Sequence, residues 1–522
     1  MNTKFLIIAA LSIVVFYANI WGNSIYILDE AKNATCAREM LHRGDIIVPT
    51  FNDELRTDKP PLHYYFMMLS YTLFGGANPF SARFFSALMG VFTVMLVFMI
   101  GKRELGERSA FYASLVMLAS LQLPLQFHLA VPDPYLIFLV TAATFYLYRY
   151  NRTEKWIHFI IGYGAVGLGV LVKGPVAIVL PGLSIFVYLI LSKQLKWSAI
   201  WRMRPLLGAL LILIIAVPWY FMVYQATDGQ WIEAFFFKHN IGRYTSTMEG
   251  HGGLPLLAIP VALLSLLPFS TFIIQVLKNA WKSRYANPLI SLALAAGCST
   301  VLFFSFSQTI LPSYISPALP FLSLLFGYYF DQLVTNYSAS LKGVKSSVLV
   351  FAFIAISLPV AGYLAMKNDQ SIADLKLLSL WLLVFSFGAV IAMIFAFKKD
   401  YKRMFMSLVI SGLLWFQAFN YLIFPKLDAK NPVLASEDIW QQKEVYYYGR
   451  MNASFVFNAQ KIIPPINSTA DLQRLKQGPE SFIILTRKDQ ATDLLTDQDF
   501  QLVFQQKDLF ENHTTMIFEF KN

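Results

Sequence analysis

Residues 58–62 read Asp-Lys-Pro-Pro-Leu, and the acidic pair Asp29-Glu30 stands upstream of them. Apolar runs at 4–21 and 81–101 flank this charged stretch, and each run approaches the length that crosses a bilayer. Charge is costly beside lipid, and carboxylates that stand there usually serve a function. The arrangement predicts a catalytic loop at a membrane surface, between two spanning helices.

The composition is typical of a membrane protein. The chain has 522 residues, of which 56% are hydrophobic and 14% charged, and its mean hydropathy is +0.52. The formal net charge of +11 would also suit a nucleic-acid partner. We exclude nucleic acid because the lysines and arginines fall mostly in short loops between apolar runs, which is a topology signal. Cys36 and Cys298 lie far apart and predict neither a disulfide framework nor a metal cluster.

Thirteen apolar runs predict membrane-spanning helices. They lie at 4–21, 81–101, 109–127, 134–150, 157–172, 175–192, 206–224, 254–277, 287–306, 312–330, 346–366, 377–397 and 404–424. The first run resembles a signal peptide, but no small-residue cleavage site precedes Trp21, so we expect an uncleaved anchor.

Basic loops predict the orientation of these helices. Five loops rich in Lys and Arg fall on one side of the alternation, and that side should be cytoplasmic. They are Gly101–Arg108, Arg149–Lys155, Lys193–Arg204, Lys278–Arg284 and Lys398–Arg403. The first loop, 22–80, the loop 225–253 and the C-terminal tail then share the opposite face. Within the first loop, Asp29–Leu41 and residues 60–75 predict two helices that lie in the membrane interface.

The composition changes from about Pro425, where a small soluble α/β domain is predicted. Its strands are expected at Glu444–Tyr448, Ser481–Thr486, Phe500–Gln505 and Thr514–Phe518, and its helices at 469–476 and 489–496. The predicted fold is therefore a mainly α, polytopic membrane protein with a small extracytoplasmic α/β domain.

The charged residues of the outer face are the candidate site. Two prolines fix the backbone where Lys59 is presented, and a rigidly held ammonium suits a phosphate oxygen. Asp29 is placed to act as a base or an orienting group. Asp133 and Lys173 stand at helix ends on the same face, where such charges are commonly structural. The alternative for Lys59 is a structural one, in which its side chain lies along apolar surface and only brings the ammonium to water.

The loop 225–253 carries further polar residues on this face. His239, Arg243 and His251 stand there, and a lone histidine is more often a surface residue than a ligand. His239 with an acidic partner would hold a divalent ion, although nothing in the loop has metal-ligand spacing.

Taken in order, these residues closely resemble the bacterial lipid A aminoarabinose transferases and the wider set of polyprenyl-phosphate-sugar glycosyltransferases related to protein O-mannosyltransferases. The matching stretches are Asp29 to Asp45 with Pro49, Lys59-Pro60-Pro61-Leu62, Ala82 to Leu88, Lys173-Gly174-Pro175, His239 to Arg243, and Leu311-Pro312-Ser313-Tyr314 with Pro317. The ordered set is specific, although any one piece of it is not.

The resemblance implies a GT-C fold with a transmembrane glycosyltransferase domain at 1–424, a periplasmic catalytic first loop at 22–80, and a periplasmic soluble domain at 425–522. It implies a sugar on a polyprenyl (undecaprenyl) phosphate as donor, an envelope acceptor such as lipid A, and a place in the bacterial inner membrane. The active site would face the periplasm.

Residue roles follow from the same resemblance. Asp29 falls on the catalytic acidic position, and Lys59 on a residue that contacts the donor phosphate. Asp58 and His239 fall near positions associated with a divalent metal ion, which would be the cofactor. The further substrate-binding candidates are Glu30, Asp133, Lys173, Arg243 and Tyr314.

This chain departs from the family pattern at two places in the first loop. Lys32-Asn33 stands where an Arg-Tyr pair is usual, and Arg56-Thr57 where an aromatic pair is common. The exact sugar, the acceptor and the use of a metal therefore stay open.

Two other functions stay open beside lipid A modification. A protein or glycan O-glycosyltransferase would use the same type of donor, and a flippase would move a lipid-linked sugar without transferring it. Transporters tend to carry paired repeats and polar residues near the midplane. Here the charge gathers at one outer face, which favours the enzyme.

Overall fold

A chain of helices forms most of the molecule. The computed structural model describes residues 3–241, 256–307, 311–335, 343–478 and 481–520. The α-helices of the membrane part and its outer loops are α1 Thr3–Phe16, α2 Leu28–Arg43, α3 Leu62–Leu73, α4 Pro79–Leu105, α5 Glu107–Ala119, α6 Gln122–Phe127, α7 Asp133–Thr153, α8 Trp156–Lys173, α9 Val176–Leu191, α10 Trp197–Arg202, α11 Pro205–Ala226, α12 Gln230–Glu233, α13 Ala258–Ser265, α14 Ile273–Ser283, α15 Pro288–Ser305, α16 Leu319–Thr335, α17 Val344–Asn368, α18 Leu383–Phe397, α19 Tyr401–Ala418 and α20 Phe424–Asp428.

Tighter or wider helical turns join several of these helices. The 3-10 turns are Phe269–Phe272, Pro312–Ala318 and Ala373–Leu382, and the π-turns are Ala234–Ile241 and Phe419–Ile423.

Each of the thirteen predicted membrane segments contains a helix among the described residues, although the run at 4–21 is helical only as far as Phe16. Seven helices of the described residues are long and apolar enough to cross a membrane, and the bent pair Ala258–Ser265 with Phe269–Ser283 would make an eighth. The mainly helical, polytopic fold is therefore confirmed, whereas the number of thirteen crossings stays a prediction.

Proline explains two of the interruptions that divide predicted runs. Pro124 has no N–H to donate to Ser120, so the run at 109–127 breaks into α5 and α6. Pro268 stands between the members of the bent pair, whose axes differ by 113°.

The first loop is folded rather than extended. It contains α2, the two-strand hairpin of β1 (Thr50–Phe51) and β2 (Glu54–Leu55), and α3. The predicted helix at 60–75 is confirmed as α3, whose 12 residues are about 18 Å long and therefore too short to cross the ~30 Å hydrocarbon layer.

The interfacial position expected for α2 is wrong. Most of its residues are buried, including Glu30, Arg38 and Glu39, because α3 packs on one side of it and the C-terminal domain on another. A helix that lay freely in the membrane interface would expose its charged face.

The C-terminal domain holds a five-stranded mixed sheet of order β4-β3-β5-β7-β6. Its strands are β3 Glu444–Tyr448, β4 Pro465–Ile466, β5 Phe482–Arg487, β6 Phe500–Lys507 and β7 Thr514–Phe520. Its α-helices are α21 Pro432–Ala435, α22 Glu437–Trp440, α23 Ser454–Asn458, α24 Thr469–Lys476 and α25 Thr492–Thr496, and a 3-10 turn spans Lys488–Gln490. Strand β3 pairs parallel with β4 and β5, and β7 pairs antiparallel with β5 and β6.

The four predicted strands and both predicted helices are confirmed, although the second helix starts later, at Thr492. Strand β4 was missed because its two residues are too few to show a periodic pattern. One face of the sheet buries Val445, Ile483 and Ile517 together with Tyr26 of the first loop. The domain is therefore packed directly on that loop.

We predict that Asn431 lies outside the cytoplasm and the loop at 398–403 inside it. The reason is the bias of Lys and Arg toward cytoplasmic loops. Alkaline phosphatase fused after Asn431 should be active in whole cells, and the same reporter fused in the 398–403 loop should be inactive. The reverse pattern of activities would overturn the orientation.

Candidate active site

Arg56 is the centre of the polar contacts in the first loop. Its side chain is buried, and its Nη2 donates to Asn33 Oδ1 at 3.3 Å while its Nε donates to the Tyr64 hydroxyl at 3.3 Å. The same Nη2 lies 3.3 Å from a carboxylate oxygen of Asp58. The guanidinium thus joins α2 and α3 to the segment that presents Lys59.

The loop that follows α11 also reaches this centre. Trp231 of α12 donates its indole N–H to the backbone carbonyl of Arg56 at 2.9 Å. Its ring is fully buried and packs edge-on against Trp219 and face-on against Phe235. Two separate outer loops are therefore held together at Arg56.

Three positive charges surround His63 at the start of α3. Burial, followed by the charges of Arg56 and Lys59 and also that of Lys173, lowers the pKa of His63 well below its ordinary value. His63 is therefore neutral at physiological pH, and its Nε2 lies 3.4 Å from Asn33 Oδ1. The cationic cluster of Arg56, Lys59 and Lys173 is positive without any contribution from the imidazole.

Three residues that were predicted separately meet at a second point. Lys173 ends α8 and donates from Nζ to Asp133 Oδ1, at the start of α7, at 2.8 Å. The same ammonium lies 5.3 Å from the centre of the Tyr314 ring. The helix-end charges thus form a paired group, in which Asp133 partly neutralises Lys173 and Tyr314 covers it.

Lys59 is half-buried and is followed by Pro60 and Pro61, the residues that lead into α3. Asp29 is exposed in the first turn of α2, near enough for its charge to act on Arg56. The structure therefore places both carboxylates close to the cationic cluster, Asp58 in contact with Arg56 and Asp29 within reach of its charge.

Glu30 lies beside Asp29 but in a different environment. It is fully buried, and its two carboxylate oxygens accept from Arg83 Nε at 2.7 Å and Arg83 Nη2 at 2.8 Å. The backbone N–H of Ala130 donates to the same carboxylate at 2.9 Å. These contacts favour a positioning role for Glu30 over the direct contact with substrate that the sequence suggested.

The C-terminal domain holds α2 from its outer side. Arg38 donates to the backbone carbonyls of Val456 and Phe457, each at 3.1 Å, next to the end of α23. Both the guanidinium and its partners are buried. Because α2 also carries Asp29, these contacts set the position of the predicted catalytic carboxylate.

The same domain holds the hairpin that leads to Arg56. Asn52 donates to the carbonyl of Ile463 at 2.9 Å and accepts from its N–H at 2.8 Å. On the inner side, Glu39 accepts from the Thr50 hydroxyl at 2.6 Å and from the Asn52 N–H at 2.7 Å. The hairpin is thereby fixed between α2 and the C-terminal sheet domain.

Some predicted site residues lie outside this arrangement. Arg243 and His251 lie outside the described residues. His239 belongs to the π-turn Ala234–Ile241, and its side chain is not part of the described structure. Their assignments stay predictions.

Asp58 is the described member of the predicted metal site. This carboxylate pairs with Arg56, and a cation already at the carboxylate disfavours a second, divalent one. Among the described residues, the group of three His, Cys, Asp or Glu side chains close enough to hold an ion is Asp508, Glu511 and His513, in the C-terminal domain. The described residues around Asp58 therefore do not fit a metal centre.

Several known proteins are similar to this chain. Residues 58–221 match the family model described as dolichyl-phosphate-mannose-protein mannosyltransferase. An uncharacterized protein of Aquifex aeolicus is 30% identical over 353 residues, which are 67% of this chain and 79% of that protein. The undecaprenyl phosphate-alpha-4-amino-4-deoxy-L-arabinose arabinosyl transferase of Yersinia pestis is 26% identical over 435 residues, or 82% of this chain and 77% of that protein.

The fold agrees with these relationships. The crystal structure of ArnT from Cupriavidus metallidurans, bound to undecaprenyl phosphate, superposes with a TM-score of 0.80 at 20% identity and covers 98% of this chain and 97% of that one. The chain belongs to the aminoarabinose transferase family. It is a membrane glycosyltransferase of the GT-C fold, related to the protein mannosyltransferases.

Sequence reasoning missed several residues that this aminoarabinose transferase family member places at the centre of its first loop. Arg56 and Asn33 were noted as departures from the family pattern, yet the structure shows that the two departures contact each other. Their contact could have been predicted because both departures from the family pattern occur in the same loop. A guanidinium that stands where the family has an aromatic residue needs a hydrogen-bond acceptor when it is buried. His63 and Trp231 carried no comparable signal.

We predict that Glu30→Gln destabilises this glycosyltransferase by about 3–5 kcal/mol, because Arg83 would keep a buried charge without its partner. Glu107→Gln is the control, since its ion pairs with Lys4 at 3.6 Å and Lys102 at 3.8 Å are partly exposed to solvent, and each should contribute less than about 1 kcal/mol. Thermal unfolding in detergent measures both. Equal melting temperatures for the two variants would show that the buried pair contributes no more than the exposed one.

Proposed function

We propose that the enzyme transfers a sugar from polyprenyl (undecaprenyl) phosphate to lipid A, on the periplasmic face of the bacterial inner membrane. The observation that carries this proposal is the cationic cluster of Arg56, Lys59 and Lys173 around His63, at the start of α3. The names of the relatives support the donor, because the transferase of Yersinia pestis and the bound crystal structure both name undecaprenyl phosphate.

The cationic cluster suits the leaving group of this reaction. When the bond between the sugar and the phosphate breaks, negative charge develops on the phosphate that stays with the lipid. Fixed cations stabilise that charge without having to reorganise. The lipid tail can meanwhile remain in hydrocarbon, which explains why such a site lies at the bilayer surface.

The three cations are not equivalent. Contacts of the side chains hold Lys173 against Asp133 and the buried Arg56 against Asp58. Lys59 is half-buried and is held at its backbone by two prolines. We assign Lys59 the main contact with the donor phosphate, with Arg56 and Lys173 shaping the potential around it.

Asp29 is assigned to the acceptor. Its exposed carboxylate is separate from the cation pairs yet electrostatically coupled to Arg56. A hydroxyl acceptor would lose its proton to this carboxylate as the new bond forms. A phosphate acceptor, as on lipid A, is already ionised, so Asp29 would then orient groups instead.

The division at residue 425 has a functional meaning in this proposal. Residues 1–424 would carry the chemistry, and residues 425–522 would hold the catalytic loop in place through Arg38 and Asn52. Tyr314 would cover the phosphate site beside Lys173.

A reconstituted assay tests the proposal. The purified enzyme in liposomes is given undecaprenyl phosphate carrying a radiolabelled sugar, together with lipid A. Transfer of label to lipid A supports the proposal. Transfer to a protein or glycan hydroxyl instead, or movement of the donor across the bilayer without transfer, would contradict it. Mass spectrometry of lipid A and envelope glycans from a deletion strain identifies the sugar and the natural acceptor.

We predict that Lys59→Ala lowers turnover by about a hundredfold or more, the scale of losing one preorganised charge contact to the transition state. Lys443→Ala is the control, because Lys443 is also half-buried but belongs to the C-terminal domain, where it pairs with Glu519. Initial rates in the labelled-donor assay measure the effect. If the folded Lys59→Ala enzyme keeps wild-type turnover, Lys59 does not contact the donor phosphate and only extends its ammonium to water.

We predict that Asp29→Asn distinguishes the two acceptor types. With a hydroxyl acceptor, loss of the base should lower turnover on the order of a hundred- to ten-thousandfold. With a phosphate acceptor the loss should be smaller, because no proton needs to be removed. Rates on lipid A and on a hydroxyl-bearing acceptor are compared for the same variant. Unchanged rates on both acceptors would show that Asp29 has no role in the transfer reaction.

A further inference from the structure

We propose that the groove between α9, α14 and α15 binds an anionic phospholipid of the membrane leaflet opposite the first loop. This inference does not depend on the sugar, the acceptor or the catalytic residues. It rests on the shape of the groove and on the charges at its mouth.

The groove is apolar along most of its length. It encloses about 580 Å³, a volume within the range of small-molecule sites in proteins. Its apolar walls are Val187, Leu191, Leu277, Leu294, Cys298 and Leu302. Such a surface suits an acyl chain.

The mouth of the groove is basic and aromatic. Lys278 and Lys282 lie one turn apart on α14, both exposed, with Trp281 between them. The Arg284 guanidinium lies 3.9 Å from the centre of the Trp281 ring. In the described part of the chain, neither lysine forms an ion pair with a carboxylate. The mouth therefore offers two uncompensated ammonium groups to an anion.

Neighbouring residues extend this basic surface. Lys193, just beyond α9, lies 5.1 Å from the centre of the Tyr285 ring, and Arg284 lies 4.1 Å from the same ring. Aromatic rings at the water interface of a membrane commonly sit at the level of lipid headgroups. A basic pocket between helices at this level is a recognised type of site for anionic lipid headgroups.

The mouth lies far from the proposed donor site. Asn287, at the start of α15, donates to the carbonyl of Glu104 at 3.1 Å, so the mouth lies at the membrane face where α4 ends. Lys173 lies at the opposite end of the helix bundle from this mouth. Helix α8 begins next to Thr153, the last residue of α7, and runs back to Lys173, on the face that carries the first loop. The phosphate of the polyprenyl donor, bound near Lys59, is therefore at the other leaflet.

Lipid binding is measured on the full-length protein by native mass spectrometry. The detergent-solubilised enzyme is titrated with phosphatidylglycerol or with phosphatidylcholine of the same acyl chains. We expect phosphatidylglycerol to bind at least about tenfold more tightly, since each lysine near the surface favours an anionic lipid. Equal affinity for the two lipids would overturn the assignment of an anionic headgroup.

Two double variants locate the site. Lys278→Gln with Lys282→Gln should weaken phosphatidylglycerol binding at least about tenfold. The matched control is Lys196→Gln with Lys402→Gln, which removes two exposed lysines predicted on the same face but outside the groove. Equal losses in both double variants would mean that only the general charge of this face attracts the lipid, and would overturn the proposal.

A groove-filling variant tests the apolar part. Cys298→Trp should lower binding of both lipids while leaving transfer from the labelled donor in place, because Cys298 lies outside the proposed active site. The contrary outcome is that undecaprenyl phosphate displaces the bound lipid as strongly as phosphatidylglycerol does. That result would assign the groove to the tail of the donor and would overturn the proposal.

Discussion

The buried ion pair between Glu30 and Arg83 is the contact on which the position of the first loop depends. The guanidinium of Arg83, near the start of α4, also donates to the carbonyls of Ile20, Asn23 and Ser24, where the chain leaves α1. One side chain therefore joins the end of the first helix, the beginning of α2 and the beginning of α4. A buried charge needs its partner, so this junction has little freedom to move.

Buried hydrogen bonds also connect the first loop to the C-terminal domain. The C-terminal domain covers α2 and supplies carbonyl acceptors to Arg38, while the carboxylate of Asp428 accepts from the N–H and the hydroxyl of Ser24 at 2.6 and 2.7 Å. These contacts replace water around groups that would be costly to bury alone. The loop can consequently present Asp29 and Lys59 from a rigid support, which is what a preorganised electrostatic site requires.

Charge has two different uses on the two faces of the molecule. On the face of the first loop, Arg56 and Lys173 are paired with carboxylates and shielded by aromatic rings. On the opposite face, Lys278 and Lys282 are exposed beside an apolar groove. The same residue types are therefore buried and paired on one face and exposed to solvent on the other, and burial strengthens electrostatic interactions that water weakens.

The sequence by itself determined the polytopic helical fold and four of the five C-terminal strands, and it predicted one common face for Asp29, Lys59, Asp133 and Lys173, because apolar length, alternation and loop charge are local properties. Only the tertiary structure decided the partners. Asp133 meets Lys173 across two helices, Arg56 meets Asn33 and Trp231 from separate loops, and Arg38 meets a domain more than four hundred residues away. Such contacts join residues that are distant along the chain, and no local pattern records which buried charge will find which acceptor.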